Sequence, residues 1–300
     1  MQARFILIPI LVGLAAPLAA HADPIPENVA EMIRAAAKTG DASQLAVTVK
    51  LAKKTNPRSA SEIDALASQL TNWAAARHRF ELQRRSFFQG WTGQGEVGGA
   101  NSTGNTRSTS VALGLNYARN GLFWDHTLTA TVDYARDNGV ESQSRYFASY
   151  SGHHKITSRL YALGLVSWED NHFAGFNSRL SESLGLGYSF LNGPKMTLAI
   201  EAGPALRQTE YVDGTAERKF AGRASLNYGW KILPNLALTE IATFYSESED
   251  STLTSDTGLT TTLIGSLSAR ASYHIQRESS PPPPLRRTDA TTRLTLVYDF

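Results

Sequence analysis

The last two-thirds of the chain alternates between apolar and polar residues, and this pattern constrains the fold more than any other feature. In residues 288–300 one set of alternate positions holds Ala290, Thr292, Leu294, Leu296, Tyr298 and Phe300, and the other holds Asp289, Thr291, Arg293, Thr295, Val297 and Asp299. Similar alternation runs through residues 110–117, 183–190 and 267–275. Since successive side chains of a β-strand point to opposite faces, each segment predicts a strand with one apolar and one polar face.

The distribution of apolar residues excludes a bundle of membrane-spanning helices. They make up 42% of the 300 residues, yet no apolar run reaches the length of about 20 residues that a spanning helix needs. At alternate positions of strands the same residues would form a lipid-facing surface. We therefore predict a mainly β fold, an antiparallel transmembrane β-barrel of about twelve strands in residues 90–300, preceded by a small α-helical segment. A soluble β-sandwich shows the same alternation and is the alternative.

Turn residues divide the predicted barrel into twelve strands. Short turns are predicted at 119–123, 156–158, 192–195, 232–235 and 264–266, and longer polar connections at 101–105, 137–142, 171–177, 212–217, 247–251 and 277–287. This alternation is typical of outer-membrane barrels, and an even number of strands puts both barrel ends on the periplasmic side. Two segments fit less simply: residues 159–168 lack clean alternation, and residues 246–277 could form one long strand, which would change the parity.

Residues 1–22 have the features of a secretory signal peptide. Arg4 precedes an apolar run at residues 5–18, and Ala20 and Ala22 supply the small side chains that signal peptidase requires. We predict cleavage between Ala22 and Asp23, export through the periplasm and a final location in the outer membrane. An uncleaved N-terminal anchor is the alternative.

Residues 23–89 are rich in Ala, Leu, Lys, Arg and Glu, unlike the rest of the chain. They predict three helices, at about 27–38, 41–55 and 59–85, and capping-box patterns open the second and the third. A buried face of the third helix is predicted from the helical spacing of Ile63, Leu66, Leu70 and Trp73. We interpret this segment as a small helical periplasmic unit.

Charged residues fall at the polar positions of the predicted strands. Counting alternate positions puts nine ionisable residues on the lumen face: Asp133, Glu201, Arg207, Arg223, Arg270, His274, Asp289, Arg293 and Asp299. Charges of both signs could line a wet channel and select the solutes that pass, or could pair across the lumen and seal it. A lumen of about twelve strands is intermediate between a filled small barrel and an open porin, so its size does not separate the two interpretations.

Composition and motif spacing exclude several kinds of chemistry. The 29 basic and 27 acidic residues give a net charge of +2, which argues against nucleic-acid binding, and the absence of cysteine removes thiolate chemistry. Residues 93–98 match the spacing of a dinucleotide-binding motif, but a turn and a strand follow them instead of a helix. His153 and His154 point to opposite faces of a strand and cannot bind one metal together. We predict no cofactor.

Several short motifs link the chain to known proteins. They are residues 93–98 running into 103–106, residues 185–188 and 288–300, and, in the helical segment, residues 53–57 and 62–66. With these motifs the chain resembles the YdiY-like family of salt-induced outer-membrane proteins, a β-barrel family of unknown function. The resemblance implies an outer-membrane barrel and a link to salt stress, and it implies no established activity.

The chain ends inside a predicted strand with Leu296, Tyr298 and Phe300 on one face. This ending resembles the signal that the outer-membrane barrel-assembly machinery reads. The expected partners are therefore that machinery, outer-membrane lipids and small solutes.

Three functions are compatible with these patterns. The first, which we favour, is a non-enzymatic outer-membrane β-barrel protein that acts as a narrow channel or in an envelope response to salt or another stress. The second is an outer-membrane barrel enzyme acting on lipid or peptide, which would need catalytic groups assembled across strands because no catalytic motif is present in the sequence. The third is a soluble periplasmic β protein.

Overall fold

Helices occupy the first part of the chain and strands the rest. The computed structural model describes residues 23–103, 108–137, 140–281 and 285–300, so the predicted signal peptide, with Ala22, lies outside the described residues. The chain forms two compact units, and the boundary between them lies between Glu81 and Leu82. In the part of the chain that the structure describes, no helix is both long enough and apolar enough to cross a membrane.

The helical unit contains α1 (Glu27–Lys38), α2 (Ala42–Thr55) and α3 (Ala60–Arg84), with a 3-10 turn at Pro57–Ser59. Asp41 caps α2, and its Oδ1 accepts hydrogen bonds from the backbone N–H groups of Ser43 (2.8 Å) and Gln44 (3.3 Å). A bond from the Ser43 hydroxyl, together with those two amides, holds the pKa of the Asp41 carboxyl below its usual range. The capping-box pattern therefore marks the true start of α2.

The core of the helical unit is small. Ile33, Ala52 and Ile63 are fully buried, and Leu66 and Leu70 pack against them. The prediction that Trp73 belongs to the same buried face is wrong, because its side chain is 69% exposed. The 12 residues of α1 and the 14 of α2 are too few to cover the second half of the 25-residue α3.

Twelve strands form a closed antiparallel barrel in which each strand pairs with the next and β12 pairs with β1. Their bounds are β1 Trp91–Thr103, β2 Ser108–Asn120, β3 Trp124–Asp137, β4 Val140–Lys155, β5 Leu160–Asn171, β6 Phe176–Asn192, β7 Met196–Tyr211, β8 Ala216–Leu233, β9 Leu236–Ser246, β10 Ser251–Ile264, β11 Leu267–Glu278 and β12 Thr288–Asp299, with a 3-10 turn at His172–Ala174. The predicted fold class is confirmed, and closure of a single sheet excludes the soluble sandwich. Residues 246–277 contain two strands, so the even parity holds.

The barrel has a terminal end, where β1 begins and β12 finishes, and an opposite far end. We expected clearly longer connections at the far end, but apart from the nine residues between β11 and β12 these connections have only two to four residues. The strands are instead long: β8 has 18 residues, against the about 9–11 that cross a bilayer. The longest strands therefore exceed the length that a bilayer requires.

The outer wall of the barrel is apolar. Outward-facing side chains that are 41–70% exposed are Val97, Val111, Leu113, Leu115, Leu128, Val166, Leu184, Leu186, Ile200, Leu259, Leu294 and Leu296. Aromatic side chains border this belt, with Trp124, Tyr188, Phe190, Trp230, Tyr298 and Phe300 near the terminal end and Trp168, Phe220 and Phe244 near the far end. An apolar belt between two aromatic girdles is the exterior of an outer-membrane β-barrel.

The ambiguous segment at residues 159–168 lies mostly in β5. Tyr161 and Leu163 face the lumen, while Val166 and Trp168 face outward beside Glu182 and Leu180 of β6. Apolar residues therefore occupy both faces of β5, which hides the alternation.

Candidate functional site in the lumen

The lumen is the part of the barrel with the most distinctive chemistry. The register places all nine sequence-predicted residues on inward-facing positions, and seven of them belong to the lumen clusters and pairs described in the next paragraphs: Asp133, Glu201, Arg207, Arg223, Arg270, His274 and Arg293. Asp289 lies opposite Gln276 close to the far end. Asp299 is exposed at the terminal end, where the Gln94 side-chain amide donates to it at 2.6 Å.

A central cluster joins β12 to β3 across two intervening strands. Both Nε and Nη2 of Arg293 donate to the carboxylate of Asp133, the Nε bond being 2.8 Å long, and Asp133 is only 1% exposed. Arg293 can reach Asp133 because Ala100 of β1 and Ala112 of β2, which lie between them, are too small to block it. The small side chains thus allow a charge-assisted bidentate bond over the inner wall.

The central cluster continues along β4 and β5. Arg145 Nε donates to Glu169 at 2.8 Å, and Arg145 Nη1 lies 3.7 Å from Asp133. Two arginines and two carboxylates therefore neutralise one another inside the barrel.

A second cluster surrounds Glu201 nearer the terminal end. Its carboxylate accepts hydrogen bonds from Arg223 Nη1 and the Tyr161 hydroxyl, both at 3.1 Å, and His153 Nε2 lies 3.6 Å away. Tyr161 crosses over β6 at Gly187, where any Cβ atom would overlap the phenol ring. Glycine at this position is what allows Tyr161 to reach Glu201.

Two arginines bridge the far end of the lumen. Arg179 of β6 donates to Glu278 of β11 at 2.7 Å, a pair that joins strands five places apart and so crosses the lumen. Arg207 of β7 donates to Glu247, in the connection after β9, and to the Thr252 hydroxyl of β10. A cavity of about 30 Å³ lies among these groups, which is enough for one or two water molecules. The far end is therefore constricted by ion pairs.

Below this constriction the lumen contains free space along β9–β11. The side chain of Asp256 is 49% exposed although it points inward and accepts a hydrogen bond from His274 Nδ1 at 2.8 Å. Ile241 also points inward and is 49% exposed. On the same side Arg270 pairs with Glu96 and is 28% exposed. The interior is thus partly filled by ion pairs and partly open.

The described lumen contains little that resembles a catalytic or metal site. No group of three or more His, Asp or Glu side chains in the described ranges could hold a metal ion. His153 faces Glu201 inside, whereas His154 contacts Trp124 on the outer wall. His274 Nε2 has no hydrogen-bond partner among the residues that the structure describes. The glycine motif at residues 93–98 lies wholly within β1.

Sequence reasoning missed several lumen residues that the structure brings into these clusters. They are Glu96, Arg145, Glu169, Arg179, Asp256 and Glu278. Continuing the alternation of β6 backwards from Leu184 puts Arg179 inside, so this residue could have been found. On β4 and β5 the inward positions also hold Phe147 and Leu163, which masks the polar face that carries Arg145 and Glu169.

Comparison with known families and proteins gives matches over the barrel. The family described as "Protein of unknown function, DUF481" matches residues 95–300. Uncharacterized protein YdiY of Escherichia coli (strain K12) is 28% identical over 199 residues, which cover 66% of this chain and 79% of that protein.

Solved structures with a similar course of the chain include a porin and an autotransporter domain, both of low sequence identity. The NanC porin is 10% identical with a TM-score of 0.49, covering 68% of this chain and 98% of the porin. The translocator domain of the autotransporter NalP from Neisseria meningitidis is 12% identical with a TM-score of 0.44, covering 79% of this chain and 98% of that domain.

Proposed function

The chain belongs to the DUF481 family of proteins of unknown function, and on this premise we propose that it is a non-enzymatic outer-membrane barrel that forms a narrow channel for small solutes. The observation that carries the proposal is the inward-facing yet half-exposed carboxylate of Asp256, since this exposure requires free space inside the lumen next to the group. Charged rings and constrictions are the means by which channels select solutes.

The constriction at the far end supports a channel of low conductance. Arg179–Glu278 joins strands five places apart across the lumen, Arg207–Glu247 joins β7 to the connection after β9, and the cavity among these groups has room for one or two water molecules. Both signs of charge occur in each pair, so we expect weak selectivity between cations and anions in the unmodified protein.

Planar-bilayer recording of the refolded protein tests this proposal. We expect small single-channel steps that become larger in Arg179→Ala and in Glu278→Ala, because either change removes the bond across the lumen. Glu240→Gln, on the outer wall, is the matched control and leaves conductance unchanged. Heat-modifiable gel mobility verifies that each barrel is folded, and folded barrels that stay silent in all four proteins would overturn the channel.

The non-enzymatic part of the proposal has its own test. Screens for hydrolysis of phospholipid, lipopolysaccharide and peptide substrates by the refolded barrel are expected to show no turnover above a heat-denatured sample. The salt response that the sequence resemblance implies is tested by measuring protein level after an osmotic upshift.

Export is proposed to include removal of residues 1–22. Mass spectrometry of protein isolated from outer membranes is expected to give an N-terminus at Asp23. An N-terminus at Met1 would show that the segment is kept as an anchor.

A further inference from the structure

One carboxylate lies in the apolar belt of the outer wall. Glu182 follows the outward positions of β6, since Ser181 and Ser183 on either side of it are buried inside, and it stands opposite Val166 of β5 and Leu206 of β7. It lies two positions along β6 from Leu180, the partner of Trp168 in the far-end girdle, which is about 7 Å along the strand. Ionisable groups at such depth are costly and mark functional sites.

The described part of the barrel supplies no partner for Glu182. Among the residues that the structure describes, none donates a hydrogen bond to its carboxylate or forms an ion pair with it. Glu240 of β9, also outward-facing, is different, because the hydroxyls of Ser255 (2.6 Å) and Thr257 of β10 donate to it. The Glu240 carboxylate is therefore hydrogen-bonded within the wall, whereas the Glu182 carboxylate can bind a group outside the wall.

Glu182 borders a groove of about 780 Å³ on the outer wall. Gly152, Ala162 and Gly164 provide its small floor, and the groove runs diagonally from Trp124 on β3 to Phe220 on β8. Five strand spacings of about 4.8 Å give it an extent of about 24 Å around the wall. Apart from Glu182 its exposed lining is mainly apolar, so it fits a hydrocarbon chain.

The strand ladder is interrupted beneath the groove. β6 and β7 pair at Ser183–Ala205 and at Leu186–Ala202, but not at the two positions between them. Pro204, which lines the groove, has no backbone N–H to donate. The pairing of β6 with β7 is therefore less regular beneath the groove than on either side of it.

We propose that this groove binds a long-chain amphiphile with an ammonium head, which pairs with the Glu182 carboxylate while the alkyl chain lies along the groove toward Trp124. The charge complementarity selects the head, and the small floor residues accommodate the chain. This site is on the lipid side of the wall and is independent of conduction through the lumen.

Tryptophan quenching of the full barrel in phosphatidylcholine nanodiscs tests the site. The probes are brominated dodecylammonium and, as its matched opposite, brominated dodecanoate; Trp124→Phe identifies the part of the signal that comes from the groove. We expect the ammonium probe to quench Trp124 at a concentration about tenfold lower than the carboxylate probe. A tenfold difference in affinity is what one charge-assisted hydrogen bond contributes.

The control variants make the outcome specific. Glu182→Gln is expected to abolish the tenfold preference, and Glu240→Gln to leave it intact. Equal quenching by both probes, a preference that survives Glu182→Gln, or equal loss in Glu240→Gln would each overturn the proposal. The proposal would also be overturned if nanodiscs containing two copies of the chain showed no preference for the ammonium probe. That result would indicate that a second copy of the chain occupies the groove.

Discussion

At the scale of single residues, buried charges in this barrel are held by side chains that sequence spacing does not bring together. Asp133 is almost fully inaccessible and carries two arginines, Arg293 and Arg145, of which Arg145 also bonds Glu169. Burial of a charge is tolerated when its hydrogen-bonding capacity is filled, and removing one partner exposes the full desolvation cost of the other. Stability therefore depends on the completeness of each cluster.

Replacing Asp133 by leucine is expected to lower the free energy of unfolding by about 3–5 kcal/mol, because Arg293 loses its partner inside the barrel. Asp133→Leu combined with Arg293→Leu should recover most of this loss, since Arg145 keeps Glu169. Urea titration of the refolded protein in bilayers measures both. Asp125→Asn in the partly exposed Lys155–Asp125 pair is the control, expected to cost about 1 kcal/mol or less. A double variant as unstable as the single one would contradict this account.

Gly187 tests close packing at a single position. Gly187→Ala is expected to destabilise the barrel, because the new methyl group would displace the Tyr161 ring and break its bond to Glu201. Adding Tyr161→Ala should remove most of this steric effect. The thermal midpoint of gel-mobility shift reports both, and a loss that is unchanged by Tyr161→Ala would show that Gly187 is needed for another reason.

At the scale of elements, the last strand closes the barrel through its terminal residue. The Gly93 N–H donates to the Phe300 carbonyl at 2.8 Å and the Phe300 N–H donates to the Gly93 carbonyl at 2.9 Å. The Phe300 ring lies over Gly93, where a Cβ atom would strike it, and packs edge-on against Tyr117 with ring centroids 5.4 Å apart. The final residue therefore contributes to both the backbone ladder and the aromatic girdle.

Phe300→Ala is expected to reduce the amount of folded protein in the outer membrane several-fold, because it removes the packing that joins β12 to β1 and part of the predicted assembly signal with Leu296 and Tyr298. Quantifying heat-modifiable protein in outer-membrane fractions measures this. Phe190→Ala changes another exposed girdle aromatic, at a site away from the closure, and should have little effect. Equal losses in both variants would assign the effect to the girdle in general.

At the scale of the whole molecule, the chain consists of a helical unit with a small core and a barrel whose strands contact one another around a complete ring. The barrel satisfies its backbone hydrogen bonds internally, and its apolar belt needs only lipid. Each unit therefore has its own source of stability.

Deletion of residues 23–81 is expected to leave a barrel that refolds and keeps its heat-modifiable mobility. Conductance like that of the full chain would count against a helical plug in the lumen, whereas a marked increase would support one. Failure of the shortened barrel to fold, with the full chain folding under the same conditions, would show that the two units depend on each other.

Much of this architecture was determined by the sequence itself, because period-two alternation and turn residues are local properties. Strand number, parity and the inward positions of residues such as Asp133 and Arg293 follow from counting along each strand. The apolar outer belt follows from the same counting, because many of the apolar residues, which make up 42% of the chain, occupy alternate strand positions. Where both faces of a strand are apolar, as on β5, this local pattern fails.

Only the tertiary structure decided which inward charges meet and where a lipid-facing carboxylate finds a partner. Arg179 and Glu278 are 99 residues apart in the chain, and Arg293 and Asp133 160 apart, so their pairing depends on closure and on small residues in intervening strands. Glu182 and Glu240 both occupy outward-facing strand positions. They differ because hydroxyl groups of the neighbouring strand donate hydrogen bonds to Glu240. Ion pairing acts through space over a few ångströms, and in a barrel the strand order and register, rather than chain spacing, set those distances.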